Sequence, residues 1–256
     1  MTRKPWPRRP GSKRRHVDIF DGGKNVDMAP RRAPGPVIRQ DRGMRITVLG
    51  SAGRTGVHVV RSLRKHRHSV RAGLRSRKHA GDLDKLGVET VVADLTAGPA
   101  TLVEVLSGSD AVINVAGAAD PDPSAVNLID RDGAINAVRA AEQAGVARYI
   151  QLSAQFADAP DQGDRLVRSI LMAKQVSDGA LRRSGMVWTI VRPGTLTDEH
   201  PSGRVKISGH LEPGSVSRAD VAAVLVATLA EPMTENRGFD LLSGEIPVPT
   251  ALSALG

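Results

Sequence analysis

The chain has 256 residues, enough for one α/β domain or two small ones, and no cysteine, which excludes disulfides, thiolate metal sites and a cysteine nucleophile. Its 36 Lys/Arg against 27 Asp/Glu give a net charge of +9, but residues 1–43 hold 12 of the basic and 4 of the acidic side chains, leaving a nearly balanced 24 and 23 for the rest. The high charge therefore describes a tail and gives no reason to expect a nucleic-acid-binding core.

Residues 1–43 mix Arg8-Arg9, Lys13-Arg14-Arg15 and Arg31-Arg32 with proline and glycine, and they read as a disordered basic tail. Twin arginines bring an export signal to mind, but no apolar stretch of 7–15 residues follows them. Met44 stands immediately before the first strand, so the tail reads as a misplaced start or fusion remnant, with a basic arm touching nucleic acid as the alternative. No run approaches the ~20 apolar residues that span a bilayer. A soluble, cytoplasmic protein acting on a small molecule is expected, with its oligomeric state open.

From Met44 onward strands and helices alternate. Arg45–Leu49 is a short β-branched run, and Arg54–Lys65 carries Val57, Val60 and Leu63 at helical spacing. Ser69–Leu74, Val88–Ala93, Asp110–Ala116, Ala147–Ser153 and Val187–Val191 read as further strands, the last closed by Pro193. A short polar helix lies between the second and third. Ser124–Ala144 is a long helix with Ala134, Ala137, Val138 and Ala141 on one face and Gly145 as its stop, and Arg165–Ser184 is another. Scarce aromatics leave Val, Leu, Ile and Ala to build the core, as in buried parallel strands. The pattern implies a Rossmann-type, doubly wound parallel sheet over 44–256. Residues 194–256, with short strands at Arg204–Ile207, Ser215–Ser217 and Gly238–Leu242 and a helix over Ala219–Ala230, read as a small C-terminal substrate lobe.

The first strand runs into Gly50-Ser51-Ala52-Gly53-Arg54-Thr55-Gly56, a G-x-x-G-x-x-G turn that opens a helix. Gly50 lets the backbone leave the strand, Gly53 carries no Cβ where a pyrophosphate approaches, and Gly56 lets helix and strand pack closely. The helix N-terminus then faces the diphosphate, with the Arg54 charge and the Thr55 hydroxyl beside it. At the end of the second strand, where an NAD enzyme carries an acid, stand Arg75-Ser76-Arg77. A guanidinium fork suits a 2′-phosphate, so NADP(H) is favoured over NAD(H), with Arg75 as the reader and Ser76 and Arg77 assisting. Asp94 and Leu95 follow the third strand at the adenine end, and Ala116-Gly117 leave room for the nicotinamide side. No His/Asp/Glu cluster has metal-ligand spacing.

These residues, with Trp188-Thr-Ile-Val-Arg-Pro-Gly194, resemble the atypical short-chain dehydrogenase/reductases, nearest to the NAD(P)H-binding group that includes biliverdin reductase B (flavin reductase) and NmrA-like proteins. The resemblance implies a catalytic Ser with Tyr-x-x-x-Lys. Ser153 fits the serine, and Lys174 fits the lysine that also holds the cofactor ribose. Ile170 stands where the tyrosine belongs, and Tyr149, the chain's one tyrosine, lies within a strand. Biliverdin reductase B-like enzymes lack that tyrosine too and pass hydride to flavins or tetrapyrroles; their histidine after the proline corresponds to Gly194 here. His200 and His210 read as exposed loop residues. The resemblance thus implies an NADPH-dependent oxidoreductase acting on a flavin-, quinone- or enone-like acceptor. The alternative is a non-catalytic NADP(H)-binding regulator or redox sensor of the NmrA-like type.

Overall fold

The computed structural model describes residues 43–164 and 167–255; the basic tail and the first two residues of the helix expected at 165–184 lie outside them. In chain order the elements are β1 (Arg45–Leu49), α1 (Arg54–Lys65), β2 (Ser69–Leu74), α2 (Gly81–Asp84), β3 (Glu89–Val92), α3 (Pro99–Leu106) and β4 (Ala111–Asn114). Next come α4 (Pro123–Val126), a π-helical turn (Asn127–Gly133), α5 (Ala134–Gln143), β5 (Arg148–Leu152), α6 (Arg168–Arg182) and β6 (Val187–Pro193). The chain closes with β7 (Thr195–Thr197), β8 (Arg204–Ser208), β9 (Ser215–Ser217), α7 (Arg218–Ala227), β10 (Arg237–Ser243), β11 (Ile246–Pro247) and α8 (Val248–Ser253).

Nine strands form one sheet in the order β11-β8-β10-β6-β5-β4-β1-β2-β3. From β3 across to β10 every pairing is parallel, while β8 and β11 join antiparallel. The strands are buried because alternate residues feed two cores. Ile113, Ile150 and Val191 meet α1 and α7 through Val60, Leu63, Val221 and Leu225 on one face. Their neighbours Val112, Tyr149 and Ile190 meet α3, α5 and α6 through Leu102, Leu106, Ala137, Val138 and Leu181 on the other. This is the doubly wound α/β arrangement. The strand order reverses at β1, between β2 and β4, and the crevice outside the carboxyl ends of β1 and β4 is where such sheets bind ligands.

Three features depart from the sequence pattern. The helix expected as one piece over Ser124–Ala144 is interrupted by the π turn, whose extra residue per turn rotates Asp130 inward to 4 % exposure. Gly145 does terminate α5, at φ +73°. Helix α3 was not among the expected elements. And residues 194–256, expected as a small lobe built onto the sheet over the carboxyl ends of its strands, supply β10, β8 and β11 at the edge of the central sheet itself, and α7 covers α1, while β7 and β9 pair separately.

Candidate functional site

Gly50 leaves β1 with φ +77°, and a Cβ there would lie 2.6 Å from Ala116 Cα, so the turn presses against the end of β4. At Gly56 a Cβ would meet the Gly50 carbonyl oxygen and stand 2.8 Å from Ser51 Cα, so α1 seats on the turn only because that position is bare. Gly53 is the N-cap of α1; no side chain caps the helix and its first turn carries no acid. The first-turn amides, which have no carbonyl partner within a helix, are therefore available to an anion. Ser51 is turned away: its Oγ donates to the Gly73 carbonyl at 2.9 Å. Thr55 is buried, and exposed Arg54 stands 3.6 Å from Asp198.

A cleft of about 280 Å³ opens at this turn, and Gly50, Ala52, Gly53, Arg75, Asp94, Leu95, Ala116 and Gly117 all line it. Eight residues singled out from the sequence thus converge on one space at the switch point. Arg75 is exposed at the end of β2; Ser76 accepts from the Lys78 amide and so caps the short turn Arg77–His79. His79, which the sequence did not single out, lines the cleft as well. Asp94 accepts from the Thr96 amide (2.9 Å) and hydroxyl (2.8 Å), so its carboxylate builds the turn beside the cleft. A larger cavity of about 880 Å³ lies at the opposite end of the sheet, by the amino ends of β1, β5 and β6, away from the glycine turn.

Behind Ala116–Gly117 is a buried polar layer. Lys174, 7 % exposed, directs its ammonium at Asp130 Oδ1 (3.0 Å), the Leu152 carbonyl (3.2 Å) and the Ala116 carbonyl (3.5 Å). The other Asp130 oxygen accepts from the Ala118 amide at 2.9 Å. The pair therefore ties the ends of β4 and β5 to the π turn, and every Lys174 donor is engaged within the protein. Asp130 escaped the sequence reading; its signal was an acid four residues before Ala134 on the buried helix face. Ser153 is also buried, its hydroxyl 2.6 Å from Asp178 Oδ2, while Gln151 Nε2 donates to Asp178 Oδ1 at 2.7 Å. Burial pushes the Asp178 carboxyl above the ordinary range, against the opposing pull of those two bonds and of Lys174 and Arg182.

The remaining candidates sit apart. Pro193 is buried at the end of β6, where its carbonyl takes the Gln155 amide. Tyr149 is fully buried, and desolvation drives its hydroxyl pKa upward. Ile170 is half-buried on α6. At Gly194 a Cβ would stand 2.5 Å from Leu242 Cδ2 and 2.9 Å from the Gly214 carbonyl carbon, so the packing of Gly214 and of β10 against it excludes a histidine. His200 and His210 are exposed, the latter edge-on to Phe156 at 5.8 Å. No helix among the described residues is long and apolar enough to cross a membrane.

A glycine turn seated at the switch point of a parallel sheet, with an uncapped helix N-terminus beside a cleft, defines a Rossmann-type nucleotide-binding protein. Residues 50–232 match the NAD(P)H-binding family, and the chain belongs to it. It is 36 % identical over 214 residues to a Bacillus subtilis (strain 168) protein described as an uncharacterized sugar epimerase, YhfK, covering 83 % of this chain and 100 % of that one. An NAD(P)H azoreductase of Xenophilus azovorans is 30 % identical, with 82 % of this chain and 73 % of the relative covered. Among solved structures, a Bacillus halodurans protein described as a "putative NAD-dependent epimerase/dehydratase" superposes with a TM-score of 0.77 at 32 % identity, over 82 % of this chain and 99 % of that one. These relatives accord with the resemblance to atypical short-chain dehydrogenase/reductases drawn from the sequence.

Proposed function

We propose that this protein is an NADPH-dependent oxidoreductase that reduces a conjugated, flavin-, quinone- or enone-like small molecule. The observation that carries the reading is the cleft that joins the glycine turn to Arg75. The turn suits a diphosphate: a Cβ at Gly50 or Gly56 would close it, and the first turn of α1 carries no acid of its own, with Asp198 3.6 Å from Arg54. The α1 amides and Arg54 would hold the diphosphate, Arg75 with Arg77 the 2′-phosphate, and Asp94 with Leu95 the adenine end. The nicotinamide end would take Ala116 and Gly117, with Lys174 and Ser153 beyond. A bound dihydronicotinamide supplies hydride, and the protein's part is to orient the acceptor, exclude water and supply a proton.

An electron-poor conjugated acceptor suits this site because Ile170 leaves no tyrosine acid for ordinary carbonyl reduction. The relative that reduces azo compounds supports the same class. The second reading, a non-catalytic NADP(H)-binding sensor, draws on Ile170 and on the engagement of every Lys174 donor by the protein. NADPH oxidation by the purified full chain, with flavin, quinone and azo acceptors, separates the two. Turnover that falls ~10- to 100-fold in Arg75→Glu with NADPH, but little with NADH, is the expected result, since a lost charge-assisted fork is worth about 1.5–3 kcal/mol. Tight NADPH binding without turnover of any acceptor would favour the sensor, and equal use of NADH by the wild type would refute the role of Arg75.

A further inference from the structure

We propose that Ser153 and Asp178 form a proton-delivery pair, in which Ser153 gives a proton to the acceptor and Asp178 replaces it. The inference rests on the reductase reading and names the acid that reading lacks. Ile170 has no proton to give, Tyr149 is fully buried in the core, and the Lys174 ammonium is committed to Asp130 and two carbonyls. What stands at the carboxyl end of β5 instead is a hydroxyl backed by a carboxyl. The Ser153 backbone is fixed by its amide, which donates to the Val191 carbonyl at 2.8 Å. Its Oγ lies 2.6 Å from Asp178 Oδ2, a direct O–H···O contact along which a proton can pass.

Gln151 and Ser153 alternate along the same strand, so both side chains reach the same face and bracket the two Asp178 oxygens. Asp178 is 1 % exposed, and both groups in hydrogen-bond contact with it are neutral. A carboxylate is costly to keep ionised in such a place, and a proton removes the cost. The charged side chains that act on it are Lys174, one helical turn before it on α6 and already paired with Asp130, and Arg182, one turn after.

With Asp178 protonated, its O–H donates to Ser153 Oγ, and the serine O–H is free to point at the acceptor. As the acceptor gains a hydride from the dihydronicotinamide, the anion that forms on it takes the Ser153 proton. The Asp178 O–H bond then breaks and its proton passes to Ser153 Oγ, leaving a carboxylate held by the Gln151 N–H. A solvent proton entering the emptied cleft restores Asp178 through Ser153. Two electrons and one proton reach the acceptor beyond the hydride nucleus, and the protein returns to its starting state.

The test joins an infrared pH titration of the cofactor-free full chain to kcat/KM profiles with NADPH and the best acceptor. Expected is a protonated-carboxyl band that persists well above the ~3.9 of an ordinary Asp, disappears in Asp178→Asn and shifts in Ser153→Ala. The acid form is the working one, so turnover should hold at low pH and fall as pH rises through the raised Asp178 value. Asp178→Asn, which preserves shape, should lower kcat ~100-fold and abolish that fall while leaving the NADPH Kd unchanged. Ser153→Ala should cost as much, and the double variant no more than either single. Loss of the band at the ~3.9 of an ordinary Asp overturns the pair, as does wild-type kcat and pH dependence in Asp178→Asn. A wild type that binds NADPH but turns over no acceptor defeats the reductase reading itself, a failure distinct from turnover that ignores Asp178.

Discussion

Replacing Gly56 by alanine probes the seat of the cofactor most directly. The added methyl would stand 2.8 Å from both Ser51 Cα and its carbonyl carbon, and closer still to the Gly50 carbonyl oxygen. Real Cβ contacts do not come under 3.0 Å, and every opposing atom here is backbone, so α1 must move away from the turn by several tenths of an ångström to about 1 Å. Overpacking of this kind costs ~1–3 kcal/mol, or a Tm lower by roughly 2–10 °C for a domain of this size. The functional loss should be larger. First-turn amides moved by that distance lose charge-assisted bonds worth about 1.5–3 kcal/mol each, so NADPH affinity should fall ~10- to 100-fold. Gly81→Ala is the control, because a Cβ there meets nothing within 4 Å. Fluorescence titration with NADPH and a thermal melt of both variants suffice. A folded Gly56→Ala protein that binds NADPH as tightly as the Gly81→Ala control would refute the assignment of this turn to the diphosphate.

Two further outcomes follow from the buried charges. Lys174→Met leaves Asp130 in the interior without its cation and should cost ~3–5 kcal/mol in denaturant melts, whereas Lys174→Met with Asp130→Leu should recover most of that loss; equal destabilisation of single and double variants would show that the pair is not what holds β4 to the π turn. Asp240→Ala strips Arg192, 4 % exposed, of its 2.8 Å partner and frees the Leu211 amide, leaving the guanidinium the Asp158 carboxylate and the Gly209 carbonyl. It should destabilise by about 3 kcal/mol and speed hydrogen exchange at 209–212, and unchanged exchange there would count against the clamp.

How far the sequence reached depends on whether a feature is local. Strands β1, β2, β5 and β6 and the glycine turn were legible because each is a short apolar run or a glycine register whose meaning lies within a dozen residues. The cleft residues from Gly50 to Gly117 could be gathered because each follows a strand, and parallel strands bring their carboxyl ends together. The polar layer was hidden for the opposite reason. Asp130 reaches Lys174 across 44 positions only because a π turn rotates it inward, and nothing in a 3.6-residue period announces that turn. Asp178 carries no signal in the sequence beyond that of a polar residue on a helix, and only the fold sets Gln151 and Ser153 against it. The C-terminal strands were found, but their joining of the central sheet is a matter of pairing, on which strand propensity is silent.

That joining has a consequence for how the molecule comes apart. Because β10 lies beside β6 in parallel register and α7 covers α1, the last sixty or so residues complete the same apolar core that the first βα unit begins. Such a chain has no seam along which one half can unfold while the other persists, and its ends must be brought together before either is stable. The helix that presents its amides to the cleft is thus held down by a segment made some 160 residues later, so a polypeptide interrupted after β6 would carry every glycine of the turn and still have no rigid cradle.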